Sequence, residues 1–309
     1  MSAPTRPGTD AAKSWVAAHK WLILRRTSQA LVLTLFLAGP LLGLWIVEGN
    51  LNSSLILGIL PLSDPFVLSQ TLASGHWPST DAFVGASLVL AAYGLIGGRV
   101  FCSFVCPMNV VTDAASWLSK RLDLSKGWQP HREVRLWILG TILVVAAVTG
   151  TVAWELINPV SILHRGLIYG MGLGWMVVAA VFLFDLVVSR RGWCGHLCPM
   201  GAFYGLVGSF SAVRVAAKQR EACNNCMDCF VVCPEPHVIA PVLCCTKHEI
   251  GPMILSRDCT NCGRCIDVCA KDVFEFDLHY RTLGRQGLSS HRNRFNHRPR
   301  GVNSNPAGS

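Results

Sequence analysis

Cys223-Asn224-Asn225-Cys226-Met227-Asp228-Cys229-Phe230-Val231-Val232-Cys233-Pro234 spaces three cysteines three apart, adds a fourth four residues on, and closes with proline. The pattern returns at Cys259, Cys262, Cys265 and Cys269. This is the bacterial two-cluster ferredoxin spacing, in which the fourth cysteine of each run crosses to the other cluster. It predicts one [4Fe–4S] cluster on Cys223, Cys226, Cys229 and Cys269, and a second on Cys259, Cys262, Cys265 and Cys233. The crossing would fuse both runs into one α+β two-cluster ferredoxin-like domain over residues 222–280. Three thiolates can wrap one face of a cubane only where the chain turns tightly, and Asn224, Asn225, Asp228, Asn261 and Gly263 tolerate such turns. Zinc ribbons or disulfides are the competing readings, and the doubled pattern disfavours both.

The rest of the 309 residues is of a different kind. The chain is 51% hydrophobic and 15% charged, against about 25% charged in a soluble domain, and its mean hydropathy is +0.40. Disorder and collagen are excluded, and an α-helical membrane protein is expected. The formal charge of +9 gathers in part in the tail, residues 281–309, where Arg281, Arg285, Arg292, Arg294, Arg298 and Arg300 stand without an acidic neighbour. That tail lacks apolar periodicity and reads as disordered. No aromatic-interleaved basic face accompanies it, so no nucleic-acid partner is expected.

Four apolar stretches are long enough to cross about 30 Å of hydrocarbon: Ser28–Val47, Asp81–Phe101, Val134–Glu155 and Leu167–Ser189. Residues 1–27 would precede them, and 28–221 would form a four-helix transmembrane domain. The apolar run Leu55–Leu62 is too short for a fifth span and reads as a re-entrant or surface segment. Lysines and arginines crowd the segments before span one, between spans two and three, and after span four. The positive-inside rule then places both termini of a multi-pass chain in the cytoplasm. The chain also repeats: Arg99-Val100-Phe101-Cys102-x3-Cys106-Pro107-Met108 aligns without gaps to Arg191-Gly192-Trp193-Cys194-x3-Cys198-Pro199-Met200. Two similar hairpins would each deliver a C-x3-C-P element to the inner surface, as a parallel repeat.

Cysteines four apart face one side of a helix, and the following proline suits a helix break. If the hairpins pack side by side, Cys102, Cys106, Cys194 and Cys198 can converge into an additional metal site, iron–sulfur or zinc. Two separate redox dithiols, or thiols that only pack, are the alternatives. His196 reads as a ligand, a supporting donor or a solvated side chain, Asp185 as an ion-pair partner of Arg190 and Arg191, and Cys244 and Cys245 as incidental thiols. On the opposite surface Glu48, Asp64, His76, Asp81, Glu155 and His164 gather beside Trp45, Trp77 and Trp154. The tryptophans read as an interfacial belt and the acids as helix caps, yet proton acceptors beside an apolar slot are also what quinol oxidation needs. Glu155, Glu48, His76 and His164 are the candidate quinol-site residues.

With its Trp21 W-L-I-L-R-R segment, the P-L-S-D-P-F loop at Pro61, I-N-P-V-S at Ile157, G-W-C-G-H-L-C-P at Gly192 and C-M-D-C-F-V-V-C-P-E-P-H-V at Cys226, the chain resembles the NapH family of ferredoxin-type membrane proteins over about residues 15–278. The resemblance implies a quinol dehydrogenase membrane component, multi-pass in the bacterial inner membrane. It would draw on the membrane quinone pool and pass electrons through a NapG-like periplasmic ferredoxin and downstream cytochromes toward periplasmic nitrate reductase. The alternative function is a membrane polyferredoxin that assembles or matures a metalloenzyme. No haem-attachment, Rossmann or P-loop motif is present, so the expected role is that of a redox subunit and not of a nitrate reductase itself.

Overall fold

The long helix α1 runs over Lys20–Leu42 in the computed structural model, which describes residues 13–124, 131–170, 172–243 and 251–279. Its first turn is satisfied from afar, because the Asp267 carboxylate accepts from the backbone N–H groups of Trp21 (3.1 Å) and Leu22 (2.9 Å). Helix N-termini present unpaired donors and favour an anion there. It stops where Gly43 turns left-handed and returns its N–H to Gly39. The span expected at Ser28–Val47 is therefore a helix that starts and ends earlier.

The apolar run at Leu55–Leu62 is a strand hairpin. Strands β1 (Val47–Gly49), β2 (Ser53–Ile56) and β3 (Leu60–Ser63) form an antiparallel meander. Leu57 and Gly58 both take positive φ at the β2–β3 turn, the combination a tight primed turn requires. The sheet lies on helix α3 (Thr80–Ile96) at Gly85, where a Cβ would stand 2.9 Å from the Ser63 nitrogen.

Asp64 caps α2 (Pro65–Ala73), and α4 (Val100–Phe104), α5 (Met108–Arg121) and α6 (Val134–Thr149) follow. Next come α7 (Pro159–Tyr169), α8 (Trp175–Leu183) with a wider turn over Phe184–Val188, and α9 (Pro199–Val207). Among the described residues only Lys20–Leu42 is long and apolar enough by itself to cross a membrane; Thr80–Ile96, Val134–Thr149 and Gly172–Val188 are apolar but shorter. The four expected spans thus correspond, among the described residues, to one full-length apolar helix and three shorter ones. Glycines shorten them: Gly97 ends α3, Gly150 ends α6, and Gly170 interrupts the fourth before it begins.

The repeat is longer than the cysteine motifs. Asp64-Pro65 opens α2 and Asn158-Pro159 opens α7, each side chain accepting from the backbone N–H two residues on, so each half carries a capped Pro-led helix before its apolar helix. The halves meet at Gly98 and Gly208, where a Cβ on Gly98 would stand 1.8 Å from the Tyr204 carbonyl oxygen. Only glycine fits that crossing.

β4 (Val213–Ala217) pairs antiparallel with β5 (Phe274–Leu278). Between them α10 (Asp228–Val232) and α11 (Arg264–Val268) each carry the third cysteine of a ferredoxin-type run, Cys229 and Cys265. β4 precedes residue 222, so this unit draws its sheet from both sides of the expected boundary. A second apolar core, including Val215, Ile239, Ile254 and Phe274, lies under it. Cys244, Cys245 and the basic tail fall outside the described residues.

Candidate iron–sulfur centres

The two cysteine runs fold alike because the same two positions of each turn left-handed: Asn225 and Met227 in the first, Asn261 and Gly263 in the second. Asn225 and Asn261 each accept from the first thiol of the run, Cys223 (3.9 Å) and Cys259 (3.5 Å). Gly263 has a further reason to be glycine, since a Cβ there would lie 2.4 Å from the Trp21 ring.

These turns gather the thiols in two groups. Cys229 has Cys269, Cys226 and Cys223 as its thiol neighbours, and Cys233 has Cys262 and Cys259. Across the runs, Cys269 thus stands beside Cys229, and Cys233 beside Cys259, Cys262 and Cys265. Burial pushes the Cys229 and Cys259 thiols up to about 11. Cys262 is the exception: burial would raise it, but the Arg264 and Arg25 guanidinium groups outweigh that and hold it below the ordinary thiol value.

The C-x3-C-P thiols converge as well. Cys106 has Cys102 and Cys198 beside it, and Cys194 has Cys198, Cys106 and Cys102. They do not share a helix face. Cys102 sits on α4 and Cys194 on a wide turn over Trp193–Leu197, while Cys106 and Cys198 stand at the broken end just before proline. Burial pushes Cys198 up to about 11. All twelve described cysteines are free thiols. Among the described residues no three His, Cys, Asp or Glu side chains are grouped to hold one metal ion; in a cubane each thiolate binds a different iron, so its ligands are spread more widely than those of a single ion. His196 is buried, with no hydrogen-bond partner at Nδ1.

A cleft between the two cysteine systems is lined by Cys102 and Cys194 on one side and Cys262 on the other, with Arg25, Arg191 and Arg264 around it. Arg25 is 2% exposed, and its Nε and Nη1 have no hydrogen-bond partner among the described residues. A buried cation without an anion is costly, and a thiolate-ligated iron–sulfur cluster, being net negative, would supply the missing charge. The donor set and this unbalanced cation both fit such a group. Bound there, it would exchange single electrons.

Carboxylates fix the two systems to each other. Asp113 on α5 accepts from Arg26, Arg191 and Arg264, each at 2.6 Å. Burial would raise the Asp113 carboxyl, but the three guanidinium groups prevail and hold it below the usual range. Glu235 lies 3.4 Å from Arg99 and 3.8 Å from Arg135. Asp258 accepts from Arg135 and lies 2.9 Å from His237. Arg191 is thereby taken by Asp113, and Asp185 instead accepts from the Trp193 backbone N–H (2.9 Å), so the expected Asp185 ion pair is absent.

The candidate quinol residues separate. Glu48 and His76 face the surface. Glu155 accepts from Asn52, Asn158 (2.9 Å) and Ser161 (2.8 Å), a structural network. His164 is buried against Phe36, with ring centroids 4.7 Å apart and no partner for either nitrogen; burial holds it down at about 4. Trp45 and Trp77 are exposed, but Trp154 is buried and joins no belt. Sequence reasoning missed Tyr204, which donates to Asp64 Oδ1 at 3.0 Å. The Asp64-Pro65 and Asn158-Pro159 echo was the signal that both helix starts are repeated features.

Residues 80–125 and 169–216 match the family described as 4Fe-4S binding domain. The two matched stretches lie one in each repeat, each with its C-x3-C-P cysteines. The chain is 53% identical over 283 residues to the methylamine utilization ferredoxin-type protein MauN of Methylorubrum extorquens, covering 92% of this chain and 98% of that one. The ferredoxin-type protein NapH of Escherichia coli is 52% identical, with 85% and 91% covered. NapH of Haemophilus influenzae is 43% identical, with 90% and 98% covered. The chain belongs to the NapH and MauN family of ferredoxin-type proteins. It is an iron–sulfur electron-transfer protein. No solved structure matches it.

Proposed function

We propose that this NapH/MauN-type protein is a multi-pass inner-membrane component that takes electrons from quinol and relays them through iron–sulfur clusters. The observation that carries the reading is the arginine-lined cleft, which puts Cys102 and Cys194 against Cys262. In the proposed arrangement Cys223, Cys226, Cys229 and Cys269 hold one [4Fe–4S] cluster and Cys259, Cys262, Cys265 and Cys233 the second. Cys102, Cys106, Cys194 and Cys198 hold a further cluster, and their place in the repeat matched as a 4Fe-4S binding domain supports this.

Membrane embedding is supported by the apolar surface: Leu31, Leu42, Val148, Leu173 and Trp175 on or beside the apolar helices are more than half exposed, a face that lipid can cover. In this reading both termini are cytoplasmic, which the clustering of Lys and Arg supports; the Asp267 cap on α1 keeps the ferredoxin-type unit on the side where α1 starts. Electrons would leave through a NapG-like ferredoxin and cytochromes toward periplasmic nitrate reductase, by likeness to NapH. The near-equal likeness to MauN supports an analogous relay in methylamine utilization as the second reading.

The test is reduction of the clusters in anaerobic membranes by added quinol, followed by paramagnetic resonance. Signals that appear with quinol and disappear on reoxidation are expected. Clusters that stay oxidised with quinol while dithionite reduces them would end the quinol reading and favour an assembly or maturation role.

A further inference from the structure

An apolar slot of about 220 Å³ opens between α1, the β1–β3 sheet and α3, walled by Leu35, Phe36, Val89 and Val105. An apolar cavity of about 150 Å³ already accepts a benzene ring. The slot's carboxylate is Asp64, itself 4% exposed. Its Oδ1 takes both the Phe66 N–H (3.0 Å) and the Tyr204 hydroxyl (3.0 Å). Its Oδ2 has no hydrogen-bond partner among the described residues, so one lone-pair face of a buried carboxylate is left for a ligand. An apolar ring with a hydroxyl donor is the chemistry that fits.

The floor of the slot is the back of the first C-x3-C-P motif. Phe101, which precedes Cys102, stacks on Tyr204 at 4.9 Å and 18°, and Val105 precedes Cys106. The linear order of spans puts Asp64 on the face opposite the cysteines. In the structure Asp64, just after β3, instead binds Tyr204, whose ring stacks on Phe101, the neighbour of Cys102.

We propose that this slot seats the ring of the quinol, with one ring hydroxyl donating to Asp64 Oδ2 and Tyr204 holding the carboxylate in place. The proposal rests on the quinol reading above. Oxidation of the quinol to quinone releases two protons and two electrons. Asp64 takes the first hydroxyl's proton, water at the slot mouth takes the second, and the electrons leave singly to an acceptor of the iron–sulfur class. The seat exists once in the repeat, because the position equivalent to Asp64 is Asn158, whose amide cannot take a proton and is committed to Glu155 and Ser161. Burial pushes the Asp64 carboxyl up to about 7, with Glu155 a minor contributor in the same direction. Tyr204, Tyr93 and Glu155 are the titratable groups that face it. A proton can therefore be gained and released there near neutral pH.

The test uses the full-length protein purified anaerobically in lipid nanodiscs, with decylubiquinol and menadiol as reductants and decylubiquinone binding followed by calorimetry. Val89→Trp fills the slot and should weaken quinone binding at least about tenfold. Asp64→Asn should keep binding within a few-fold but slow quinol-driven cluster reduction about 10²-fold, and should remove the rise in rate as pH increases through about 7. Iron content and dithionite-reducible signals should match wild type in both. If Val89→Trp loses iron, Leu35→Trp takes its place. Wild-type quinone binding and reduction in both variants would overturn the slot while leaving the quinol reading standing; wild-type protein that neither binds quinone nor is reduced by quinol would overturn both.

Discussion

Met227 and Gly263 occupy equivalent left-handed positions in the two cysteine runs, yet their surroundings differ. Gly263 lies under the Trp21 ring, whereas Met227 is 51% exposed. A left-handed L-residue costs about 1–2 kcal/mol, offset in part by the chain entropy that glycine adds to the unfolded state. Met227→Gly should therefore raise stability by up to about 1 kcal/mol, read as a higher midpoint of anaerobic thermal cluster loss. Gly263→Met should do the reverse and more strongly, because it adds a clash with Trp21 to the strain. Equal and small effects at both positions would show that the turn, and not the ring above it, sets the requirement. The same contrast shows what was legible at this scale. Turn-tolerant residues among the cysteines pointed to the correct loops, but nothing local marks Met227 as left-handed, since its conformation is imposed by bringing three thiols to one side.

Helices α10 and α11 each carry the third cysteine of a run and end at the fourth, so the chain leaving each helix delivers its last thiol to the other group. Cys233→Ser should accordingly damage the cluster held by Cys259, Cys262 and Cys265. Paramagnetic resonance with iron analysis would show that cluster altered or lost and the other retained; damage confined to the Cys223, Cys226 and Cys229 group would overturn the crossing. This arrangement was readable from spacing through the two-cluster ferredoxin pattern and not through ligand number, since each run alone holds four cysteines. Other elements were less so. Hydropathy located all four apolar helices but misjudged their ends, since mean hydropathy runs on through Gly97, Gly150 and Gly170, where the backbone turns. It also could not separate the β2–β3 hairpin from a re-entrant segment, because a short apolar run carries no periodicity to decide the matter. Tyr204 on Asp64 spans 140 residues and joins the two halves of the repeat, a contact invisible to any window along the chain.

At the scale of the whole molecule, the repeat explains how a ferredoxin-type unit is held against an apolar helical body. Arg99 and Arg191 are equivalent positions, each three residues before the first cysteine of its motif, and both reach charged partners away from their own helix: Arg99 toward Glu235 of the ferredoxin-type unit, Arg191 toward Asp113, which also binds Arg264 of that unit. Arg99 further donates to the carbonyl oxygens of Asp258 and Cys194 (3.2 Å), tying the residue before Cys259 to the second repeat. Such buried pairs add little over an apolar contact of the same shape, but removing one partner strands the other. Arg99→Met should therefore cost about 3 kcal/mol or more, because Glu235, 4% exposed, keeps only the more distant Arg135 and His237. The measurement is the urea midpoint of cluster absorbance in nanodiscs. Combining Arg99→Met with Glu235→Gln should recover part of the loss, since the amide no longer carries an unpaired charge, although the two carbonyl oxygens stay without their donor. A double variant no more stable than Arg99→Met alone would assign the whole effect to those carbonyls, and the docking of the two units would then rest on backbone contacts and not on the ion pair.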